Sequence, residues 1–156
     1  MKKVIKSFAT ALVLGVFMML SSCGGSDDSS SASTDLFIKF NYNGVQYNFT
    51  DPATINSLSK SISGFQEVGN SSNMMVLYMP LEVTTGTFPI TYSPSDVNSY
   101  NGHFTDGVED FSFDGTSGTM VITSVTSEYV KGTFNFSAEV DGQIVEVTNG
   151  SFSAYK

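Results

Sequence analysis

The side chains best equipped for chemistry are few. There is one imidazole, His103, one thiol, Cys23, and a run of carboxylates, Asp106-Gly107-Val108-Glu109-Asp110 followed by Asp114-Gly115. Oxygen donors on a glycine-containing loop are what Ca²⁺ requires, with ~6–8 ligands at about 2.3–2.6 Å. Asp106, Glu109, Asp110 and Asp114 are therefore the candidate Ca²⁺ ligands, although their spacing departs from an EF-hand loop. The plain alternative is a solvated acidic loop. His103, set between Gly102 and Phe104, is either a base or an ordinary histidine of a loop or strand end. A single His excludes three-His zinc catalysis, and no Gly-x-Ser-x-Gly elbow is present. A glycosidase would need two carboxylates roughly 5–10 Å apart beside aromatic platforms. With no Trp, the residues to stack on a glycan would be Tyr78, Tyr92 and Tyr100, unless alternation buries them as core. No catalytic residue is assigned, and no cofactor is expected beyond the Ca²⁺ candidate.

The surrounding composition narrows the classes further. The chain has 156 residues, a length that suits one ordinary domain. Seven Lys and no Arg face fifteen acids, for a net charge of −8. That balance argues against nucleic-acid recognition, which depends on clustered Lys and Arg. One Cys leaves no partner for an internal disulfide.

The N-terminus reads as an address. Three of the seven lysines lie within Met1–Lys6, and an uncharged apolar run follows from Phe8 to Leu20. Thirteen residues at about 1.5 Å each give roughly 20 Å, short of the ~30 Å hydrocarbon core. A basic start, a short apolar stretch and then small residues predict a signal peptide over 1–22. Leu20-Ser21-Ser22-Cys23 resembles the lipobox of bacterial lipoproteins. The resemblance implies cleavage before Cys23, acylation of its thiol and acylation of the new N-terminus. One acyl chain holds a protein only reversibly, whereas two anchor it stably without a membrane span. The remaining chain, 23–156, keeps four lysines against all fifteen acids, for a net charge of −11. Residues 23–34, rich in Gly, Ser and Asp, are a flexible tether with a reach of about 20 Å. Ser26-Asp27-Asp28 resembles the acidic export signal of surface-exposed Bacteroidota lipoproteins.

From Asp35 onward, alternating Phe, Tyr, Val, Ile and Thr with frequent turn signals predict an all-β domain over 35–156. A single antiparallel β-sandwich of Greek-key or meander type is expected, with a lipocalin-like barrel as the alternative. Asn43-Gly44 signals a two-residue type I′ turn that pairs Tyr42 with Val45, Phe40 with Tyr47 and Ile38 with Phe49. All six fall on one apolar face, while Asn41, Gln46, Lys39 and Asn48 take the other. Asp141-Gly142 likewise sets Ala138 against Val145, Phe136 against Val147 and Asn135 against Thr148. Phe152 then has the wrong parity for an unbroken strand, which predicts a β-bulge near Asn149-Gly150. Met120 opposite Phe134 and Ile122 opposite Gly132 complete a three-stranded meander over 118–155.

The middle gives weaker signals. Residues 57–66 alternate as an exposed or edge strand, and the continuous run Met74–Met79 suits a strand covered on both faces. Pro89 confines 87–92 to an edge or bulge. Residues 93–117, rich in Gly, Asp, Ser and Asn, predict a long, partly irregular segment, and 93–115 is the candidate binding segment.

Gly86-Thr87-Phe88-Pro89-Ile90, Gly118-Thr119-Met120-Val121-Ile122-Thr123, Lys131-Gly132-Thr133-Phe134-Asn135-Phe136 and Val147-Thr148-Asn149-Gly150-Ser151-Phe152 together resemble small Bacteroidota lipoproteins. Those carry an all-β domain of unknown function behind a lipobox. The resemblance implies an outer-membrane lipoprotein, with the cell surface favoured over the periplasmic face. The expected function is noncatalytic binding, with the membrane held through Cys23 and a protein or glycan as partner. A small-ligand carrier with an apolar barrel interior is the second reading and a hydrolase the third.

Overall fold

The computed structural model describes residues 35–156, Pro94 excepted. The expected signal peptide over 1–22, lipidation at Cys23 and tether over 23–34 lie outside the described residues. In chain order the strands are β1 (Phe37–Tyr42), β2 (Val45–Thr50), β3 (Ala53–Asn56), β4 (Lys60–Val68), β5 (Ser71–Met79) and β6 (Gly86–Pro89). They continue as β7 (Asn101–Asp106), β8 (Phe111–Asp114), β9 (Ser117–Val125), β10 (Tyr129–Val140) and β11 (Gln143–Tyr155). One sheet has the order β2-β1-β11-β10-β9-β6 and the other β3-β4-β5-β7-β8.

The two antiparallel sheets make the expected sandwich. Strands β2 and β6 end one sheet and β3 and β8 end the other, so neither closes on itself. The lipocalin-like barrel is thereby corrected. Three of those four edge strands have only four residues, and β6 ends in Pro89, which has no N–H to extend the ladder.

Local turn chemistry sets the register of two hairpins in the larger sheet. Asn43 (φ 48°) and Gly44 (φ 76°) supply the two positive φ values of a type I′ turn, and Asp141 (φ 52°) and Gly142 (φ 77°) repeat it. The pairs Tyr42–Val45, Phe40–Tyr47 and Ile38–Phe49 form as the turn requires. So do Phe136–Val147, Ala138–Val145, Phe134–Met120 and Gly132–Ile122. The expected bulge forms at Thr148-Asn149. Phe136 pairs with Val147 but Phe134 with Gly150, leaving Asn135 opposite both Thr148 and Asn149. Asn149 adopts φ 53°, and the extra residue returns Phe152 to the buried face.

The structure corrects or sharpens three expectations for the middle. Strand β4 is not an edge, because β3 pairs outside it and leaves its Lys60, Ile62 and Gly64 buried. Strand β5 is central and covered only in part on its outer face: Met75, Leu77 and Met79 face the core, while outward Val76 is buried and Tyr78 stands exposed. Within the partly irregular segment 93–117, residues 101–114 form the β7–β8 hairpin, since pairing with β5 satisfies a backbone that their composition alone would leave as loop. Strand β6 is an edge, as Pro89 demands.

Aromatic rings fill the space between the sheets. Phe40 meets Phe104 across it at 5.2 Å and 75°, and Phe113 meets Phe136 at 5.7 Å. The large rings rest on bare backbone. A Cβ added to Gly64 would come within 2.7 Å of Phe49, and one on Gly102 within 2.4 Å of Phe136. Each such Phe side chain contributes roughly 1.5–3 kcal/mol by leaving water.

Lys60 is a costly exception on the inner face of β4. It is 2% exposed, and its Nζ donates to Asn56 Oδ1. Burial pushes its pKa below the ordinary 10.5, nearby Lys156 lowers it further, and Glu82 opposes both. An unfolded chain therefore holds this proton more tightly than the folded one, so stability rises with pH across the window just below 10.5. Lys60→Met should raise stability by about 1 kcal/mol at pH 7, because an apolar group of similar volume needs no desolvation. The gain should shrink as pH rises through that window. Melting curves of both proteins at pH 7 and pH 10 check it; a gain that grows with pH contradicts the assignment.

Candidate functional site

The four acidic candidates do not assemble into one ligand set. Asp106 ends β7, where its Oδ1 accepts the N–H groups of Val108 (3.0 Å) and Glu109 (3.3 Å) and its Oδ2 accepts the Tyr47 hydroxyl (3.4 Å). It is a buried turn cap, 7% exposed. Glu109 and Asp110 stand exposed on that turn, and Asp110 has φ 51°, a conformation that Asp tolerates. Asp114 lies at the far end of β8, opposite His103. Antiparallel pairing of β7 with β8 thus separates Asp114 from the other three. Among the described residues no three His, Cys, Asp or Glu side chains lie close enough to share a metal ion.

His103 is a strand residue with both ring nitrogens engaged. Nδ1 lies 3.0 Å from Asp114 Oδ1 and Nε2 lies 3.1 Å from Thr105 Oγ1. Hydroxyl, imidazole and carboxylate occur in the order that nucleophilic catalysis uses. The surrounding backbone is less suited to it. Strand β7 is paired with β5 on one side and β8 on the other, which commits its N–H groups to ladders and away from an oxyanion.

A concave site forms beside this hairpin, at the Asn101 end of β7. It measures about 320 Å³ and is lined by Tyr78 from β5, Tyr92 and Asp96 from the β6–β7 connection, Asn101, and Asp114 from the end of β8. Tyr78 is 37% exposed and Tyr92 52%. Their presence on the surface follows from backbone geometry. Tyr78 has the outward parity of β5, between the buried Leu77 and Met79. Tyr92 follows Ile90, which anchors the connection in the core and bridges to Tyr100. Within 95–99, Asp96 Oδ1 accepts the Asn98 N–H at 2.9 Å, and the Ser99 hydroxyl donates to the Asp96 carbonyl at 2.8 Å. Asn101 uses its side-chain oxygen on the Gly102 N–H at 2.7 Å, which leaves its NH₂ group as the donor available to a ligand.

Of the three tyrosines read as stacking candidates, two meet in this pocket and one does not. Tyr100 is 7% exposed and stacks on Phe88 at 4.1 Å, with 8° between the planes; burial raises its hydroxyl pKa. It is core. The candidate segment 93–115 divides between two places: its first part lines the pocket, while 107–110 turns at the opposite end of β7. Asp96 and Asn101 fall within the candidate segment 93–115, although the sequence singles out neither as a site residue. Neither carries a local signal beyond turn chemistry, and only the pairing of Tyr78 with Asn101 on β5 and β7 brings them to the tyrosines.

Comparison with protein-family models, with curated proteins and with solved structures finds no match to this chain. Among the described residues no helix is long and apolar enough to cross a membrane.

Proposed function

We propose that this chain is a membrane-anchored, noncatalytic binding protein whose Tyr78–Tyr92 pocket takes a sugar unit of a glycan. The observation that carries the reading is two exposed tyrosine rings in one concavity with the polar groups of Asp96, Asn101 and Asp114. A sugar has an apolar C–H face that stacks on an aromatic ring and hydroxyls that need amide and carboxylate partners. A volume near 320 Å³ falls at the small end of ligand sites, which span about 300–1,000 Å³. A carrier with an apolar interior is less well supported, because rings occupy the space between the sheets. The anchor is Cys23, and the described domain begins β1 at Phe37, so the tether meets the end of β1 away from the Asn43-Gly44 turn.

One pair of measurements tests both halves. Binding to a panel of immobilised oligosaccharides should be saturable, and Tyr78→Ala or Tyr92→Ala should each weaken it about tenfold, the loss of one aromatic anchor. Ile144→Ser, on the exposed part of β11, should leave it unchanged. Cys23→Ser should move the chain from the membrane fraction to the soluble fraction. Absence of retention on every oligosaccharide, or tight binding that survives both tyrosine changes, overturns the glycan site. Unaltered membrane association of Cys23→Ser overturns the anchor.

A further inference from the structure

At the Asp106 end of β7, five residue steps or roughly 17 Å from the Asn101 end at ~3.3 Å per residue, an open cleft of about 620 Å³ forms. Three turns surround it: Asn43-Gly44, 107–110 and Asp141-Gly142. Tyr42, Tyr47 and Phe111 supply its rings, and Asp106, Glu109 and Asp141 its charges. We propose that this cleft binds an organic cation: an alkylammonium group with its hydrocarbon chain, as in a free polyamine or a lysine side chain.

The walls fit both parts of such a ligand. Aromatic faces attract a cation through the ring quadrupole and offer apolar surface to the carbon chain. Tyr42 and Phe111 lie nearly parallel, with centroids 6.5 Å apart and 17° between planes. No cationic side chain among the described residues offsets this charge. Among the described residues no lysine forms a salt bridge to a carboxylate, and none lines this cleft. Burial raises the hydroxyl pKa values of Tyr42 and Tyr47, and the charges of Asp106 and Glu109 raise both further, which reports a negative field at the rings. This protein already makes one ammonium–ring contact elsewhere, with Lys39 Nζ 4.6 Å from the centre of the Phe37 ring.

A small metal ion suits the site poorly. Hard cations gather ~6–8 oxygens into a tight shell, whereas these carboxylates are spread around rings with no three close enough to share an ion. A larger cation with apolar surface uses the same dispersed charges together with the aromatic walls. The net charge of −11 on 23–156 would steer it inward at low salt.

The test titrates cadaverine and then spermidine into the intact chain at low ionic strength, followed by calorimetry and amide shifts. Asp106 is left unchanged, since it caps the turn and is buried. Glu109→Gln and Asp141→Asn alter exposed turn residues, and Asn accepts the φ of 52° at 141, so both variants should melt with the parent. Saturable binding is expected. Each variant should weaken it about fivefold, 1,5-pentanediol should not bind, and Tyr78→Ala, at the other end of β7, should have no effect. Nα-acetyl-lysine methylamide binding as well as cadaverine assigns the ligand to a lysine side chain; much tighter spermidine assigns it to a free polyamine. Equal binding of the diol, full displacement by Mg²⁺ at matched charge, or unchanged affinity in the Glu109→Gln/Asp141→Asn double variant overturns the proposal.

Discussion

Replacing Phe40 with alanine should lower the unfolding free energy by about 3–5 kcal/mol, the range for removing a fully buried Phe. Phe40 is 1% exposed, and four rings surround it: Tyr47 at 5.0 Å, Phe104 at 5.2 Å, Phe49 at 5.6 Å and Phe134 at 6.3 Å. Those partners come from β2, β10 and, across the sandwich, β7, so one deletion weakens both the hairpin and the sheet–sheet contact. The neighbouring rings are held by their own backbones and cannot collapse into the space. Phe40→Leu should cost far less, about 1 kcal/mol, because most of the volume remains. Urea denaturation reads the effect as a lower midpoint with an unchanged slope. A loss of under 1 kcal/mol for Phe40→Ala would mean that the inner faces are not packed as described. Against a typical total of about 5–15 kcal/mol, the expected loss is a large share.

The hairpin containing Phe40 was the most legible part of the chain, for a physical reason. A two-residue turn fixes register locally, and register sorts every following side chain to one face or the other. Asn43-Gly44 and Asp141-Gly142 therefore carried the pairings of β1 with β2 and β10 with β11. The parity of Phe152 exposed the bulge for the same reason. Parity demands an extra residue near Asn149-Gly150, and Thr148-Asn149 supply it opposite Asn135. Strands β4, β5, β7 and β8 were harder. The run Met74–Met79 has no period of two, and outward Tyr78 looks like core although it stands exposed beside the buried Val76. The polar composition of 101–114 favoured loop, and distant pairing with β5 overrode it.

Legibility of the two candidate sites follows the same division. Tyr78 and Tyr92 could be named as stacking residues from their type, but Tyr100 could not be separated from them without the contact to Phe88. The acidic run 106–110 attracted attention as a Ca²⁺ loop, whereas Asp106 folds back on its own turn and leaves Glu109 beside aromatic residues of β1, β2 and β8. Spacing along the chain showed the carboxylates. It did not show that Asp141, from a turn more than thirty residues later, completes their rim.

Gly102→Val should destabilise the domain by about 3 kcal/mol, near the top of the usual range for overpacking. No special backbone angle is involved. The position is occupied by the Phe136 ring, whose Cε1 and Cδ1 would lie 2.4 and 2.7 Å from an added Cβ, and a Cβ added to Gly115 would lie 2.8 Å from Cδ2 of the same ring. Phe136 is 3% exposed and sits on β10 of the opposite sheet, so neither partner can retreat without separating the sheets. Movement of Gly102 is also resisted by its carbonyl, which accepts the Gly115 N–H at 2.7 Å. Phe136→Leu alone should cost about 1–2 kcal/mol through the space it leaves. Together the two changes should cost less than their sum by at least about 1 kcal/mol, since the valine methyls would fill what the ring vacates. Additivity within about 0.5 kcal/mol would show that ring and glycine do not compete for one volume. The fit of a large ring to a bare strand is the feature least visible in the sequence. Gly102 and Phe136 lie 34 positions apart on different sheets, and nothing local to either residue announces the other.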